Sequence, residues 1–159
     1  VISAAIEANQ KQKNYMIDKI VNAMDKNKNL EGKIITILGL SFKPETDDMR
    51  DSPALDIIEG LVSCGAHIQA YCPEGMKEAQ WRLQHLKSKI TYYNNEYEAV
   101  TGADGLVIVT EWYQFRAMDL QRIHSTMRGN YFFDLRNVYS KKREFLGDFR
   151  YYGVGIGGN

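Results

Sequence analysis

Three cationic side chains that follow strand-like segments are the residues of this sequence best suited to chemistry. Lys43 and Arg50 lie in residues 39–52 (GLSFKPETDDMRDS), directly after the first β-branched run, and Arg136 follows the apolar run 131–134. In open α/β sheets, ligands bind beyond the carboxyl ends of the strands. Arg offers a bidentate fork and Lys a point charge, and both suit an anion such as a diphosphate. If these runs are neighbouring parallel strands, we expect the three cations to converge on one crevice.

Each of these residues also has a purely structural interpretation. An Arg in this loop that pairs with Asp47 or Asp48 is a commoner arrangement than a ligand contact, and only the shared sheet edge favours a binding site. Phe42 and Trp112 are either lids over the core or apolar walls for a base or a sugar ring.

Several familiar site types are excluded by their missing residues. The segment GLSF after the first run lacks the second and third glycines of G-x-G-x-x-G, so we do not expect this chain to bind NAD by itself. No G-K-[ST] follows it either, which excludes a Walker loop. Cys64 and Cys72 lack metal-ligand spacing, as do the three histidines, so no metal site is predicted.

The elements that must position the cations are predicted from hydrophobic periodicity. β-Branched and apolar runs alternate with helical patterns, which indicates parallel βαβ units. The predicted strands are residues 33–38, 67–71, 90–93, 105–109 and 131–134, with a short sixth piece at 151–154, and the predicted helices are 53–64, 76–86, 97–100 and 118–127. The fold class is therefore α/β, with a doubly wound, mostly parallel, Rossmann-like sheet of five to six strands.

One long helix is predicted before the sheet, because residues 1–27 contain neither Pro nor Gly. Its apolar residues recur at three- and four-residue steps. Asn9 and Lys13 interrupt this stripe, either as register-setting polar residues of a helix pair or because that part of the helix faces a wet cleft. We expect residues 1–30 to form this helix with a polar linker and residues 31–159 to form the α/β domain.

Composition excludes some classes of function. The 159 residues carry 20 Lys and Arg against 20 Asp and Glu, and this zero net charge argues against a nucleic-acid partner. No run of 18 apolar residues is present, so no membrane span is expected. Two cysteines suit a reducing environment, and we expect the protein to be cytoplasmic. The sequence begins at Val1 inside a helical pattern, which suggests a piece of a longer chain.

Residues 39–53 (GLSFKPETDDMRDSP) closely resemble the start of the C-terminal domain in the UDP-glucose/GDP-mannose dehydrogenase family. The resemblance continues through residues 65–67, 103–104, 109–112 with Phe115, and 134–137 (DLRN). Residues 9–12 (NQKQ) are similar to the end of the long central helix of the family. The form FKPETDD is most similar to the UDP-glucose branch, whereas UDP-N-acetylmannosamine and GDP-mannose dehydrogenases share weaker versions.

The resemblance implies a parent enzyme of nucleotide-sugar metabolism and polysaccharide biosynthesis that oxidises UDP-glucose to UDP-glucuronate in two NAD-dependent steps. Carried over by position, Phe42, Lys43 and Arg136 contact the UDP-sugar, and Arg50 reaches towards NAD, which the N-terminal domain of the parent mainly binds. The long helix then belongs to a central region through which the parent forms a homodimer.

The catalytic cysteine, lysine and asparagine of the family are expected upstream, so no catalytic residue is assigned in this sequence. Cys72 stands where the family usually has Asp, and neither cysteine lies in the family's nucleophile motif. We expect this chain to fold and to bind UDP weakly without transferring hydride. The alternatives are a dehydrogenase of the same family that acts on UDP-N-acetylmannosamine or GDP-mannose, and a non-catalytic nucleotide-binding or regulatory module.

Overall fold

The computed structural model describes residues 2–155 and contains, within that range, six strands and five α-helices. The strands are β1 (Ile34–Leu38), β2 (His67–Tyr71), β3 (Ile90–Tyr92), β4 (Gly105–Ile108), β5 (Tyr131–Asp134) and β6 (Arg150–Gly153). The α-helices are α1 (Ile2–Met24), α2 (Pro53–Ser63), α3 (Met76–Arg82), α4 (Glu96–Ala99) and α5 (Leu120–Thr126). Short 3-10 helices cover Gln84–Lys89, Tyr113–Ala117 and Arg143–Phe145.

The strands form one parallel sheet in the order β3-β2-β1-β4-β5-β6. This order confirms the predicted α/β, Rossmann-like fold. The chain moves outwards from β1 to β3 and then returns to the other side of β1 with β4. The point where the strand order reverses therefore lies between β1 and β4, and crevices for ligands form beyond the carboxyl ends of strands at such points.

The centre of the sheet is apolar because helices and connecting segments cover it. In the two central strands, β1 and β4, the fully buried apolar side chains are those of Ile35, Ile37, Leu38, Leu106, Val107 and Ile108. Two buried polar side chains in this region are satisfied by one carbonyl: the Thr36 hydroxyl and the Gln69 amide both donate to Ala99, at 2.6 and 2.7 Å. The centre of the sheet is thus a rigid base for the loops at its edge.

Helix α2 begins as its sequence predicts, with Ser52 as the N-cap and Pro53 at the first helical position. The Ser52 hydroxyl accepts from the backbone N–H of Ala54 (3.3 Å) and donates to the carbonyl of Leu40 (2.7 Å). The N-terminus of α2 is therefore fastened to the segment that leaves β1.

Helix α1 ends at Met24, before the predicted end near residue 27, because the Asp25 carboxylate accepts from the backbone N–H groups of Asn27 and Asn29 and forms a turn. The second half of α1 packs on α2, with Ile20 buried. The Lys13 ammonium pairs with the Asp56 carboxylate of α2 at 2.8 Å, which explains one polar interruption of the apolar stripe.

The predicted helices 53–64 and 97–100 differ from α2 and α4 by at most one residue at each end, and two others differ by more. The prediction of a helix over 76–86 is too long, because the chain tightens into a 3-10 helix after Leu83. The observed helix α5 is shorter than the predicted helix 118–127. It begins only at Leu120, because the Asp119 carboxylate accepts from the N–H of Arg122 and caps it. Over residues 2–155, no helix is both long enough and apolar enough to cross a membrane.

Candidate functional site

The segments that leave β1, β4 and β5 meet at one edge of the sheet, because these three strands are neighbours. We call residues 39–43, 109–112 and 135–137 the carboxyl-edge loops. They contain Phe42, Lys43 and Arg136, three of the four side chains predicted to bind ligands. The convergence of Lys43, Arg50 and Arg136 was predicted on the condition that these strands are neighbours, and that condition is met.

The first of these loops lies directly against the second. Gly39 has a φ of +91°, and a Cβ at this position would come within 2.7 Å of the backbone nitrogen of Thr110. The Thr110 hydroxyl donates to the carbonyl of Ser41 at 2.6 Å. A glycine is therefore required here both for its conformation and for its small size.

The Ser41 hydroxyl is buried beneath this loop and all its hydrogen-bonding capacity is used. It donates to the carbonyl of Lys43 (2.7 Å), accepts from the indole N–H of Trp112 (3.1 Å) and lies 3.9 Å from the thiol of Cys72. Trp112 is only 4% exposed, so it is a lid over the core rather than a free wall for a ligand.

Phe42 and Lys43 lie on the outer side of the same loop. The Phe42 side chain is 45% exposed, and the Lys43 ammonium lies 5.9 Å from the centre of its ring. The backbone N–H of Phe42 donates to the carbonyl of Asp48 at 2.7 Å, which fixes where the ring leaves the backbone. An apolar ring and a cation are thus presented together to solvent.

The turn after β5 is held by two polar side chains on either side of Arg136. The fully buried Asp134 carboxylate accepts from the backbone N–H groups of Val138 and Tyr139 and from the hydroxyl of Tyr151. Asn137 follows with a φ of +53°, and its amide donates to and accepts from the backbone of residue 154. Arg136 is therefore carried by a backbone that is fixed on both sides.

The Arg136 guanidinium forms an ion pair with Glu111 through its Nε. The Glu111 side chain is 16% exposed and that of Arg136 is 48% exposed, so the carboxylate lies beneath a half-open guanidinium. Glu111 was not predicted as the partner of Arg136. The available signal was an acidic residue just after β4, opposite the Arg that follows β5.

Arg50 lies on the other side of β1. Its Nε and Nη2 each donate to the Asp48 carboxylate at 3.0 Å, so Arg50 forms the structural pair with an Asp of its own loop that its sequence context favours. This bond lowers the pKa of Asp48 to about 2. A Cβ on Gly75, at the start of α3, would lie 2.2 Å from the Cε of Met49, so this segment packs beside the α3 that follows β2. Arg50 is thus carried on the β2 side, whereas Arg136 lies on the β5 side.

The connection from β1 to α2 does not form a dinucleotide cradle. The space at Gly39 is occupied by Thr110, Pro53 offers no N–H, and the N–H of Ala54 is taken by Ser52. A diphosphate bound in the Rossmann manner needs these groups free. The residues of this edge therefore do not fit the binding of NAD by this domain alone.

The described part of the chain has two further features relevant to ligands. A cavity of about 840 Å³ lies between α5 and residues 139–148, and one of about 360 Å³ lies between α2 and α3. The carboxyl-edge loops line neither of them. Over residues 2–155, no three His, Cys, Asp or Glu side chains are grouped so as to hold a metal ion.

Comparison with known proteins identifies the family and the fold. The model of the UDP-glucose/GDP-mannose dehydrogenase family, UDP binding domain, matches residues 36–141, from β1 to beyond the turn after β5. A UDP-glucose 6-dehydrogenase of Rhizobium meliloti is 39% identical over 155 residues, which are 98% of this chain and 34% of that protein. The corresponding enzyme of Bacillus subtilis is 34% identical and matches 98% of this chain and 32% of its own length.

Solved structures of nucleotide-sugar dehydrogenases also superpose on this chain. A UDP-glucose dehydrogenase from Pyrobaculum islandicum superposes with a TM-score of 0.74 and 28% identity, over 96% of this chain and 31% of that one. A UDP-D-ManNAc dehydrogenase from Pyrococcus horikoshii gives 0.73 and 26%, over 93% and 32%. This chain spans about a third of the length of the curated relatives it matches. It belongs to the UDP-glucose/GDP-mannose dehydrogenase family, whose UDP-binding domain it contains.

Proposed function

We propose that this chain binds the uridine diphosphate part of a nucleotide sugar at its carboxyl-edge loops. We further propose that the protein to which it belongs is an NAD-dependent UDP-glucose 6-dehydrogenase, which oxidises UDP-glucose to UDP-glucuronate in two steps. The observation that supports this most is the placement of two exposed cations, Lys43 and Arg136, beyond β1 and β5 of a UDP-binding domain.

The chemistry of these loops suits a nucleoside diphosphate. Strands β1 and β5 are two spacings apart, about 10 Å, which suits two cations that share one elongated anion. Lys43 supplies a point charge, and Arg136 offers the part of its fork that Glu111 does not hold. The exposed ring of Phe42 supplies an apolar wall for the base or the sugar.

Charge removal at the two cations tests this binding directly. We expect Lys43→Ala and Arg136→Ala each to weaken the affinity of this chain for UDP about tenfold to a hundredfold, as the loss of a charge-assisted hydrogen bond does. Isothermal calorimetry measures the affinity. Lys87→Ala and Arg150→Ala remove exposed cations that precede β3 and begin β6, at the opposite edge, and should leave it unchanged. Equal effects of the two pairs would contradict the assignment.

NAD in this proposal is held mainly by another part of the parent protein, because the residues of this chain do not form its cradle. Arg50 is assigned to contact it from the β2 side, so Arg50→Ala in the full-length protein should raise the KM for NAD more than that for the UDP-sugar. This chain alone, given UDP-glucose and NAD, should produce no NADH. A measurable rate of NADH formation would overturn that division of roles.

A second substrate is favoured by one comparison, the superposition on the UDP-D-ManNAc dehydrogenase. Turnover of UDP-glucose, UDP-N-acetylmannosamine and GDP-mannose by the full-length protein would decide between them. We expect the highest kcat/KM with UDP-glucose. Turnover of none of the three would favour a non-catalytic nucleotide-binding module.

We also propose that the parent is a cytoplasmic homodimer that associates through α1. Helix α1 carries exposed apolar side chains, with Ile6 63% and Tyr15 53% exposed. The free thiols Cys64 and Cys72 suit a reducing compartment. Sedimentation of this chain should show a dimer that Ile6→Lys with Tyr15→Lys converts to a monomer. If the unmodified chain sediments as a monomer, α1 is not sufficient for association, which would contradict this proposal.

A further inference from the structure

We propose that Ser41 and Thr110 are positioning residues for the nucleotide site: their buried hydroxyls hold Phe42 and Lys43 where a uridine diphosphate can contact them. This inference rests on the proposed function and adds residues to which that function does not assign any role.

Three hydrogen bonds meet at Ser41, the residue that precedes the exposed Phe42 and Lys43. Ser41 is fully buried, and Thr110 and Trp112 are 2% and 4% exposed. The Thr110 hydroxyl donates to the Ser41 carbonyl (2.6 Å), and the Trp112 indole donates to the Ser41 hydroxyl (3.1 Å). That hydroxyl in turn donates to the carbonyl of Lys43 (2.7 Å). The loop after β4 is thereby joined, through one serine, to the backbone that carries the cation.

These side-chain bonds add to the few backbone hydrogen bonds of the segment. Residues 39–43 lie outside any helix or strand, and their backbone N–H groups make two backbone hydrogen bonds, from Gly39 to the carbonyl of Tyr71 and from Phe42 to that of Asp48. The Ser41 hydroxyl donates to one carbonyl and accepts from Trp112 and from the thiol of Cys72, which together use its capacity. A shift of about 1 Å in a binding group is enough to weaken a site strongly, so such support has functional weight.

The chain offers a matched control for the hydroxyl of Thr110. Thr36 in β1 is also buried and also donates to a carbonyl at 2.6 Å, that of Ala99. Threonine-to-valine substitution removes the same atom group at both positions and nearly conserves the volume. Only Thr110 is bonded to the loop that carries Lys43, so only its loss should affect nucleotide binding.

The experiment measures UDP affinity by calorimetry for this chain and its variants. We expect Thr110→Val and Ser41→Ala to weaken UDP binding about tenfold, as the loss of one buried hydrogen bond permits. Thr36→Val should stay within about twofold of the unmodified chain. Thr110→Ser keeps the hydroxyl and should restore binding. Equal losses in Thr110→Val and Thr36→Val, or no rescue by Thr110→Ser, would overturn the proposal.

A second readout separates this inference from the proposed function. Hydrogen exchange of the Phe42 amide, which bonds to the Asp48 carbonyl, needs no ligand. We expect it to be at least tenfold faster in Thr110→Val than in Thr36→Val, and equal rates would overturn the positioning role. Absence of UDP binding by the unmodified chain at millimolar concentration would overturn the proposed function instead. If Thr110→Val does not fold, Ser41→Ala is compared with the same control by both readouts.

Discussion

The pair of Asp48 and Arg50 shows how local hydrogen bonding sets the charge state of a single exposed residue. Arg50 donates two side-chain bonds to the Asp48 carboxylate, and its backbone N–H donates a third. The side-chain bond is the largest cause of the lowered pKa of Asp48, about 2, and the backbone bond follows it. Since the Arg50 side chain is 78% exposed, the pair shapes the loop more than it stabilises the fold.

Removal of Arg50 should therefore raise the pKa of Asp48. The folded-state value lies below that of the unfolded chain, so the bonds stabilise the loop above about pH 4 and are lost as the pH falls towards 2. In Arg50→Ala we expect the midpoint to move from about 2 towards 3.8, measured by NMR titration of the carboxyl carbon. Arg82→Ala removes a weaker, more distant charge effect and should shift the midpoint much less. An unchanged midpoint in Arg50→Ala would contradict this explanation.

At the residue level, sequence and topology together locate the cations but not their partners. Lys43 and Arg136 could be placed at one edge because each follows a strand. Glu111 could be recognised as the partner of Arg136 only once β4 and β5 were known to be neighbours. The two-way bonding of Asn137 to residue 154 likewise depends on where β6 ends. Contacts between distant segments have no signal in local spacing.

At the level of elements, the close approach of the loops after β1 and β4 depends on Gly39. A side chain there would meet the backbone of Thr110 and also adopt a positive φ. Gly102 also has a positive φ, +74°, but a Cβ at this position would have no other atom within 4 Å. The two positions thus separate the effect of conformation from the effect of packing.

We expect Gly39→Ala to lower the free energy of unfolding by about 3 kcal/mol or more, because strain and overpacking add. Gly102→Ala should cost only about 1–2 kcal/mol, the cost of the left-handed conformation. Chemical denaturation of the two variants measures both. Similar losses would show that the loops can separate without cost and would contradict the close approach.

The strands were the most predictable elements, because β2 and β5 have the predicted bounds and β1, β3 and β4 differ at their ends by a single residue. The helices were less predictable. Apolar periodicity continues through residue 83, but the backbone there leaves the α-helical region (φ −107°). The α5 start is set by the side-chain cap of Asp119, a local choice that a hydrophobic pattern does not contain.

At the level of the whole molecule, buried tyrosines join the segment after β5 to the segment after β4, and join β6 to the end of β5. The Tyr139 hydroxyl donates to the carbonyl of Phe115 (2.6 Å) and accepts from the N–H of Met118 (3.1 Å). Burial raises the pKa of Tyr139 to about 12. Burial and the hydrogen bond to Asp134 raise the pKa of Tyr151 as well. The fold therefore favours neutral phenols at both positions.

The chain should consequently lose stability at alkaline pH. The folded-state pKa of Tyr139 lies above the unfolded value near 10, so its contribution is complete below about pH 10 and is lost as the pH rises through about 12. Tyr139→Phe should reduce stability at neutral pH by about 1–2 kcal/mol and flatten the loss between pH 10 and 12. Denaturation across this range tests it, with Tyr113→Phe, at a 79% exposed site, as the control. A steeper loss in Tyr139→Phe would contradict this origin.

The central claim is that uridine diphosphate binds across the carboxyl-edge loops. NMR titration of this chain with UDP, followed at the backbone amides, tests it most directly. We expect the largest shifts in residues 39–43, 109–112 and 135–137, and their loss in the double variant Lys43→Ala with Arg136→Ala. Shifts confined to the cavity between α5 and residues 139–148, or none at millimolar UDP, would contradict the claim.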